Sequence, residues 1–257
     1  MPMMPPFGTA AAAAGKATRS RGKFDPDGRE MRRYEREFQA AMVRALSRLR
    51  RDVERGITAE NVHDMVNRLS DPAVTRPFQD AIVTELQRVA LAGAEHGRVT
   101  IEREVFGVKA LEMTAWELAN NAAAAWAIQF GQTLAGMMLM TTTERIQNEI
   151  AEYILNSQTI GELIERIRWG NVYSEERARM LAVTETTRAF AEGSMAAWRA
   201  SGVIEKRRWN SNNDELVCPV CGPLNGVVVG LDTTFEGGIS APPAHPRCRC
   251  WVTPVVE

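Results

Sequence analysis

Apolar residues recur every three or four positions through most of the chain, the spacing of helices that each bury one face. Met31–Arg55 carries one such stripe, and Gly56 ends it. A short helix is predicted from about Thr58 to Leu69. Asp71-Pro72 then opens another helix, since an N-cap followed by proline is a start signal, and we expect that helix to end near Gly93. The stripe of the first helix consists of Tyr34, Phe38, Met42, Ala45, Leu46, Leu49 and Val53.

Four more helices are predicted before the pattern changes. The first is alanine-rich and runs from about Lys109 to Met140, and its most apolar stretch, Ala122–Met140, predicts a buried core helix. Glu144–Leu155, Thr159–Arg168 and Ser174–Ser201 follow, and Thr159 with a glutamate three residues later forms a capping-box pattern. Small residues at four-residue spacing let another helix approach closely, as in core packing and at some oligomer seams: Ala127, Gly131 and Ala135.

The pattern changes at Gly202, which supplies a left-handed cap for the last helix. The segments 203–209, 224–231 and 251–255 are short and rich in β-branched and aromatic residues, and turn residues such as Asn225-Gly226 separate them. The sequence therefore predicts an α+β fold, with a mainly helical N-terminal region followed by a small β-rich C-terminal module. Because this module contains all four cysteines of the chain, we expect it to be zinc-stapled. Modules of this size commonly need a metal for stability.

Three regions follow from these patterns. Residues 1–28 are rich in Pro, Ala, Gly and Ser and predict a disordered arm. Residues 29–170 form the helical region. Residues 171–257 form the C-terminal module, which comprises the helix 174–201 and a β-rich, metal-binding part, 203–257.

Overall composition and charge do not identify a binding partner, but the sequence does indicate the cellular compartment in which the protein is made. The 257 residues are 45% hydrophobic and 25% charged with a net charge of −1, so overall charge favours neither nucleic acid nor a membrane. Ala122–Met140 is interrupted by polar residues and falls short of the roughly 20 apolar residues of a spanning helix. No secretory signal is visible, so we expect synthesis in a reducing cytoplasm and reduced cysteines.

Basic residues outnumber acidic ones between Lys16 and Arg55. A basic arm of this kind could contact DNA weakly, although a solvated helix face explains the same charges. The prominent positions are Arg19, Arg21, Lys23, Arg32, Arg33, Arg48, Arg50 and Arg51.

All four cysteines and one of the three histidines lie in one short C-terminal segment. They form Cys218-Pro-Val-Cys221 and His245-Pro-Arg-Cys248-Arg-Cys250. Thiolate and imidazole suit tetrahedral zinc, and a shell filled by protein ligands is structural and not catalytic. A zinc ion needs four of these five donors, and we favour Cys218 and Cys221 with two of His245, Cys248 and Cys250.

Other interpretations of the cysteines are weaker. They could be reduced residues that simply pack in a core. A thioredoxin-like pair needs a βαβ context, a nucleobase deaminase needs His-x-Glu, and neither occurs here. A ββα-metal nuclease with His245 as its catalytic residue fits poorly, because no second catalytic residue stands nearby and a proline follows the histidine.

Further motifs in the last eighty or so residues begin in the helix, with Ala182-Val-Thr184-Glu185-Thr-Thr-Arg188-Ala189 and Glu192-Gly193. They continue through Trp198, Trp209, Asp214, the Cys218/Cys221 pair, Leu224-Asn-Gly226, Phe235, Pro242-Pro243, His245-Pro-Arg-Cys248-Arg-Cys250 and Pro254. In order and spacing these residues resemble the Mu F-like minor head protein (phage head morphogenesis) family. The likeness covers about Ser174 to Pro254 and is looser back to the Thr159–Arg168 helix. The family usually has arginine where this chain has Val183, which we expect to alter one surface contact.

The resemblance implies a non-enzymatic minor capsid protein in the interior of the virion or procapsid. It would act with the portal and/or the major capsid protein during procapsid assembly, and a homo-oligomer is compatible with it. The alternative is a zinc-stapled module that binds packaged or ejected DNA, because Arg207, Arg208, Arg247 and Arg249 flank the metal motif. Glu185 and Arg188 can pair along one helix face, or the Thr184-Glu185-x-x-Arg188 set can be buried against the β module and link the two parts; we favour the link.

Overall fold

Six helices precede a three-stranded sheet in the computed structural model, which describes residues 25, 28–104, 113–211 and 218–256. The helices are α1 (Arg29–Glu54), α2 (Asp64–Arg68), α3 (Pro72–Glu104), α4 (Met113–Leu155), α5 (Ile160–Trp169) and α6 (Glu175–Ser201). The strands are β1 (Lys206–Asn210), β2 (Val228–Gly230) and β3 (Trp251–Val255). Single 3₁₀ turns cover Asn171–Tyr173 and Glu236–Gly238. The predicted α+β fold class is confirmed.

Several predicted helix ends are confirmed by their local chemistry. All seven apolar positions of the α1 stripe are buried, and Gly56 follows the helix with a φ of 64°. The Thr159 hydroxyl accepts from the Glu162 N–H while the Glu162 carboxylate accepts from the Thr159 N–H, so the capping box is complete. Gly202 caps α6 with a φ of 65°. These ends were predictable because each depends on a few neighbouring residues.

The prediction that α3 ends near Gly93 was wrong, because the helix continues to Glu104. A methyl group at Gly93 would overlap the carbonyl of Phe190 in α6, and one at Gly97 would lie 2.6 Å from the Ser194 carbonyl oxygen. These glycines therefore permit a close crossing of α3 and α6, and they do not stop the helix.

The two helices predicted on either side of Thr141–Thr143 are one helix, α4. The Thr141 and Thr142 hydroxyls donate to carbonyls one turn earlier, at 3.0 and 2.7 Å. Threonine hydroxyls used in this way do not cap a new helix. The predicted start at Lys109 and most of the predicted arm, 1–28, lie outside the described residues. The helix predicted over Thr58–Leu69 is reduced to α2, which is preceded by turns.

Only one side of α4 is buried, which corrects the prediction of a core helix over Ala122–Met140. Ala127, Gly131 and Ala135 face the core, and a methyl group at Gly131 would meet Val83 of α3 at 2.8 Å. The opposite side is exposed, with Met140 74% accessible. No described helix combines the length and apolar character needed to cross a membrane.

The sheet is antiparallel in the order β2-β1-β3, so β1 lies at its centre. Trp209 of β1 is opposite Val252 of β3 and makes an edge-to-face contact with Phe235, with ring centroids 5.2 Å apart. Together with Trp198 of α6 these residues belong to a second apolar cluster, which also contains three cysteines. Helix α6 thus contributes to both the helical core and the module's core. The predicted boundary at residue 170 stays a prediction.

Candidate metal centre

Two loops of the C-terminal module bring the five predicted donors together. Cys218 and Cys221 lie on a turn in which the N–H groups of Cys221 and Gly222 donate to the Cys218 carbonyl, at 3.1 and 3.0 Å. The turn at Leu224-Asn-Gly226, where Gly226 has a φ of 83°, then leads the chain into β2. The second loop, 245–250, immediately precedes β3. The antiparallel sheet therefore places the two halves of the motif side by side.

The donor atoms fall into two overlapping groups. Cys218, Cys221 and His245 form one group, and Cys221, Cys248 and Cys250 form the other; within each group every donor atom lies within 4.8 Å of the others. Cys221 belongs to both groups. Cys221 can therefore bind an ion held by either group of donors.

The distances suit a tetrahedral ion. The Cys221 and Cys248 sulfurs are 3.7 Å apart, close to the edge of about 3.8 Å in a tetrahedron with zinc–sulfur bonds of about 2.3 Å. His245 Nε2 lies 3.1 Å from Cys218 Sγ, and its Nδ1 lies 2.8 Å from the Pro246 carbonyl oxygen. A proton on Nδ1 would leave Nε2 to bind a metal, and such a second hydrogen bond typically orients a histidine ligand. None of the four thiols is in a disulfide.

Electrostatics separates thiolates from thiols within the cluster. The hydrogen bond from Cys250 lowers the pKa of Cys248 to about 5, against the effect of burial, and the same bond raises the pKa of Cys250. Burial, reinforced by the charge of Cys248, raises the pKa of Cys221 to about 12. Of the three buried thiols, Cys248 is therefore the most readily ionised, and a bound cation would stabilise its thiolate in this apolar cluster.

The outer donors have their own pKa shifts. Burial opposes ionisation of Cys218, yet hydrogen bonds from the Cys221 and Val220 N–H groups bring the pKa of Cys218 below its ordinary value. Burial disfavours the charged form of His245, but the bond to the Pro246 carbonyl and the charges of Cys248 and Cys218 raise the pKa of His245. The donor set therefore fits a divalent cation that prefers sulfur and nitrogen ligands.

Two threonines of α6 hold the second loop against the helix. The Thr184 hydroxyl accepts from the Arg247 N–H at 2.9 Å and donates to the Met180 carbonyl at 2.7 Å. The Thr187 hydroxyl lies 3.0 Å from the carbonyl oxygen of Cys248. Arg247 has a φ of 62°, an uncommon conformation for a residue other than glycine, and the Thr184 bond holds it there.

The Thr184 contact agrees with the prediction that the Thr184-Glu185-x-x-Arg188 set links α6 to the β module, whereas the Thr187 contact was not predicted. The i, i+3 spacing of the two threonines places both hydroxyls on one helix face. The sequence offered one indication of these contacts. Threonine is unfavourable in a helix interior, so two threonines on the same face of a buried helix indicate hydroxyls that bind a neighbouring segment.

Among the described residues, the charged pair Glu185–Arg188 is not seen to link α6 to the β module; in the predicted Thr184-Glu185-x-x-Arg188 set, Thr184 makes that link. The nearest atoms of the charged pair are 2.9 Å apart along α6, and the Arg188 guanidinium lies 5.2 Å from the ring centroid of Phe130 in α4. Burial raises the pKa of Glu185, against the effect of Arg188. Valine in place of the family's arginine at position 183 was predicted to alter a surface contact. Val183 is buried, so that prediction was wrong.

The arginines near the metal motif are mostly engaged. Arg207 is 2% exposed, and it donates to the Thr233 carbonyl at 2.7 Å. Arg247 is paired with Glu176, and Arg249 lies 3.1 Å from Glu35 of α1. Arg208 is exposed. The four arginines therefore do not form one open basic surface around the cluster.

Comparison with known proteins gives one family and one curated relative. The family described as "Phage Mu protein F like protein" matches residues 144–253, a range that contains all five donors. An uncharacterized protein, YqbB of Bacillus subtilis (strain 168), is 22% identical over 251 residues, which cover 88% of this chain and 79% of the relative. No solved structure matches the chain.

The family match confirms the resemblance predicted from the sequence and extends it toward the N-terminus, into the last turns of α4. The family indicates a role in phage head morphogenesis and therefore contact with other head components. Residues 144–253 of this chain are therefore similar to the family described as "Phage Mu protein F like protein".

Proposed function

We propose that this protein is a non-enzymatic minor component of a phage head, acting with the portal and/or the major capsid protein during procapsid assembly. The observation that carries the proposal is the family match, which spans α5, α6, the sheet and the whole donor cluster. We expect the protein to lie in the interior of the procapsid and of the virion. The helical region would contact the partner, while the module serves as a rigid platform.

We further propose that the cluster holds one structural zinc ion. Five sulfur and nitrogen donors exceed the four that a tetrahedral site needs, so the shell can be closed without water. Cys221 is a ligand in every arrangement we consider, because it belongs to both groups. When bound, zinc would fasten the Cys218–Cys221 turn to the 245–250 loop and so stabilise a module with only three short strands.

The metal proposal is tested by elemental mass spectrometry on protein purified without chelator. We expect a single zinc per chain, lost in Cys221→Ser. Comparing His245→Ala, Cys248→Ser and Cys250→Ser identifies the spare donor, because the variant that lacks only that donor keeps its zinc. Wild-type protein without metal would contradict the proposal and leave three buried thiols and the half-buried Cys218 that simply pack.

The assembly proposal is tested separately by co-expression with the portal protein and the major capsid protein. We expect the chain to co-purify with the portal or to be incorporated into procapsids, and Cys221→Ser to reduce that incorporation. Absence of the wild-type chain from portal complexes, procapsids and virions alike would contradict it.

DNA binding remains a second candidate because of α1 rather than the metal motif. That helix exposes seven arginines along its outer side: Arg29, Arg32, Arg33, Arg36, Arg44, Arg48 and Arg51. Phosphate contacts of this kind weaken steeply with added salt. Filter binding at low and high salt, with Arg36→Gln/Arg44→Gln/Arg51→Gln as the test variant, decides this candidate: no binding at low salt removes it.

A further inference from the structure

The outer side of α4 is an uncharged surface exposed on a protein rich in charge. No Asp, Glu, Lys, Arg or His occurs from residue 118 to residue 143. Large apolar side chains are open to solvent there: Leu118 is 64% exposed, Ile128 41%, Met137 50% and Met140 74%. We define the α4 outer face as Leu118, Asn121, Ala122, Ala125, Ile128, Gln129, Gln132, Thr133, Gly136, Met137 and Met140.

A solvated helix face normally carries charged and polar residues, so this composition needs an explanation. The opposite side of α4 already packs on α3 and α6 and accounts for the buried positions Ala127, Gly131 and Ala135. Within the described part of the chain, a methyl group at Gly136 would meet nothing within 4 Å. Exposed apolar patches of several hundred Å² mark interaction sites.

The order of side chains along this face is self-complementary. Reversing the helix about Gln129 brings Leu118 opposite Met140, Ala122 opposite Gly136 and Ala125 opposite Thr133. Large residues therefore meet at both ends, and small residues meet between them, where two backbones must come close. A self-matching arrangement of this kind is the requirement of a two-fold interface, in which the same patch serves both subunits.

We propose that the α4 outer face binds the same face of a second copy of this chain, antiparallel and about a two-fold axis through Gln129. The contact runs from Leu118 to Met140, about 33 Å at 1.5 Å per residue. The absence of charge lets the two helices meet without like-charge repulsion, and the Gln129 side chains are placed to pair across the axis.

A groove at one end of the face gives the partner's Met140 a place to insert. It has a volume of about 380 Å³ and lies between α4 and α6, lined by Leu118, Ala122, Trp126, Ala196 and Ala200. Glu192 and Arg199 also line the groove, and their side chains carry charges of opposite sign. Since the axis generates two such grooves, both ends of the interface are filled by the same contact.

The extent of the face is compatible with a dimer. Its four large apolar side chains are 41–74% exposed, and they are spread along about 33 Å of helix. A specific interface needs roughly 1,000 Å² counted over both partners, so the flanking polar residues of the face take part in the proposed contact as well. An apolar helix from a different protein would not require the large–small–large order to be symmetric about Gln129.

Sedimentation equilibrium of the full chain tests the proposal over about 1–100 μM, because oligomer populations follow concentration. We expect a species of twice the chain mass of 28.5 kDa. Gln129→Lys and Gln129→Glu should each weaken dimerisation by at least about tenfold, because like charges then meet at the axis. An equimolar mixture of the two variants should regain the dimer. Asn148→Lys, an exposed position of α4 outside this face, is the matched control and should dimerise normally.

Three outcomes would overturn the proposal. Wild-type protein could stay monomeric throughout the concentration range. The Gln129 variants could dimerise like the control, which would place the interface elsewhere. The two variants could each be monomeric yet fail to associate when mixed, although circular dichroism shows both folded. None of these outcomes bears on metal binding or on co-purification with the portal.

Discussion

Removing the two threonine hydroxyls that attach the 245–250 loop to α6 is the sharpest test of how the module is held. We consider Thr184→Val/Thr187→Val, because valine keeps the shape of threonine and removes only the hydrogen bonds. In this variant the Arg247 N–H and the Cys248 carbonyl lose their side-chain partners on α6. Each partly buried polar group left without a partner costs about 1–3 kcal/mol.

The two losses are not equal. Thr184 uses its oxygen as an acceptor and its proton as a donor, so valine removes the whole contact with the loop. The Thr187 hydroxyl has one proton, which is shared between the Cys248 carbonyl at 3.0 Å and the Val183 carbonyl at 3.1 Å. We therefore expect Thr187→Val to lie at the low end of the range and the double variant to lose about 2–4 kcal/mol.

Thermal unfolding followed by tryptophan fluorescence is the assay, since Trp198 and Trp209 are buried in the affected cluster. For a chain of this size 1 kcal/mol corresponds to roughly 2–4 °C, so the double variant should melt about 4–16 °C below wild type. Thr141→Val is the matched control, because the hydrogen bond that its hydroxyl makes in the described part of the chain stays within its own helix. Thr184→Ser/Thr187→Ser should retain most of the stability.

Metal removal gives a second, independent readout of the same contacts. With chelator present, the loop should lose its order in wild type and variant alike, so the difference in melting temperature should shrink. A double valine variant that melts with the Thr141→Val control would refute the reasoning. So would a melting-temperature difference that is unchanged by chelator, because the hydroxyls would then stabilise α6 and not the loop.

The remaining predictions concern the helical core. Gly193→Ala should destabilise the fold by at least about 1–3 kcal/mol, because the added methyl overlaps the Ala90 carbonyl, whereas Gly161→Ala on the open side of α5 should be neutral or slightly stabilising by urea denaturation. Burial lowers the pKa of His96 from 6.5 to about 4, with Glu30 opposing and Arg103 assisting. Because the folded pKa lies below the unfolded one, the associated stability is complete above pH 6.5 and falls by up to about 3 kcal/mol as the pH drops to 4; His96→Gln should flatten this part of the pH profile, and identical wild-type and variant profiles would contradict it. Thr159→Ala should cost about 1 kcal/mol through loss of the capping box, and Thr159→Ser should restore it in the same denaturation assay.

The helix ends that the sequence predicted correctly depend on contacts within one turn. Thr159 and Ser174 cap with their own side chains, and Gly202 adopts the left-handed conformation that its lack of a Cβ permits. The error at Gly93 has the opposite origin. Whether a glycine ends a helix or admits a neighbouring one depends on the partner, here Phe190, almost a hundred residues later in the chain.

The donor residues could be predicted, but their arrangement could not. Cysteine and histidine declare their chemistry by residue type, and the motif spacing keeps them on two short loops. The central position of Cys221 arises from the pairing of β1 with both other strands, which no local pattern specifies. The prediction that Arg207 belongs to an exposed basic surface was wrong for a similar reason. Arg207 is buried because it lies on the side of β1 that faces Phe235, and the sequence near Arg207 does not specify which side that is.

Helix α6 explains why polar and small residues recur where an apolar stripe would be expected. Toward α3 it needs close approach, which Gly193 and Ser194 provide; the Ser194 hydroxyl also lies 3.0 Å from the Gly93 carbonyl oxygen. Toward the module it meets loop backbone, and a backbone N–H or carbonyl is satisfied by a hydroxyl and not by a methyl group. The metal loop is therefore attached to the helical core through Thr184 and Thr187. Disturbing either threonine should weaken the connection between the proposed zinc platform and the helices, even while the zinc ligands themselves remain intact.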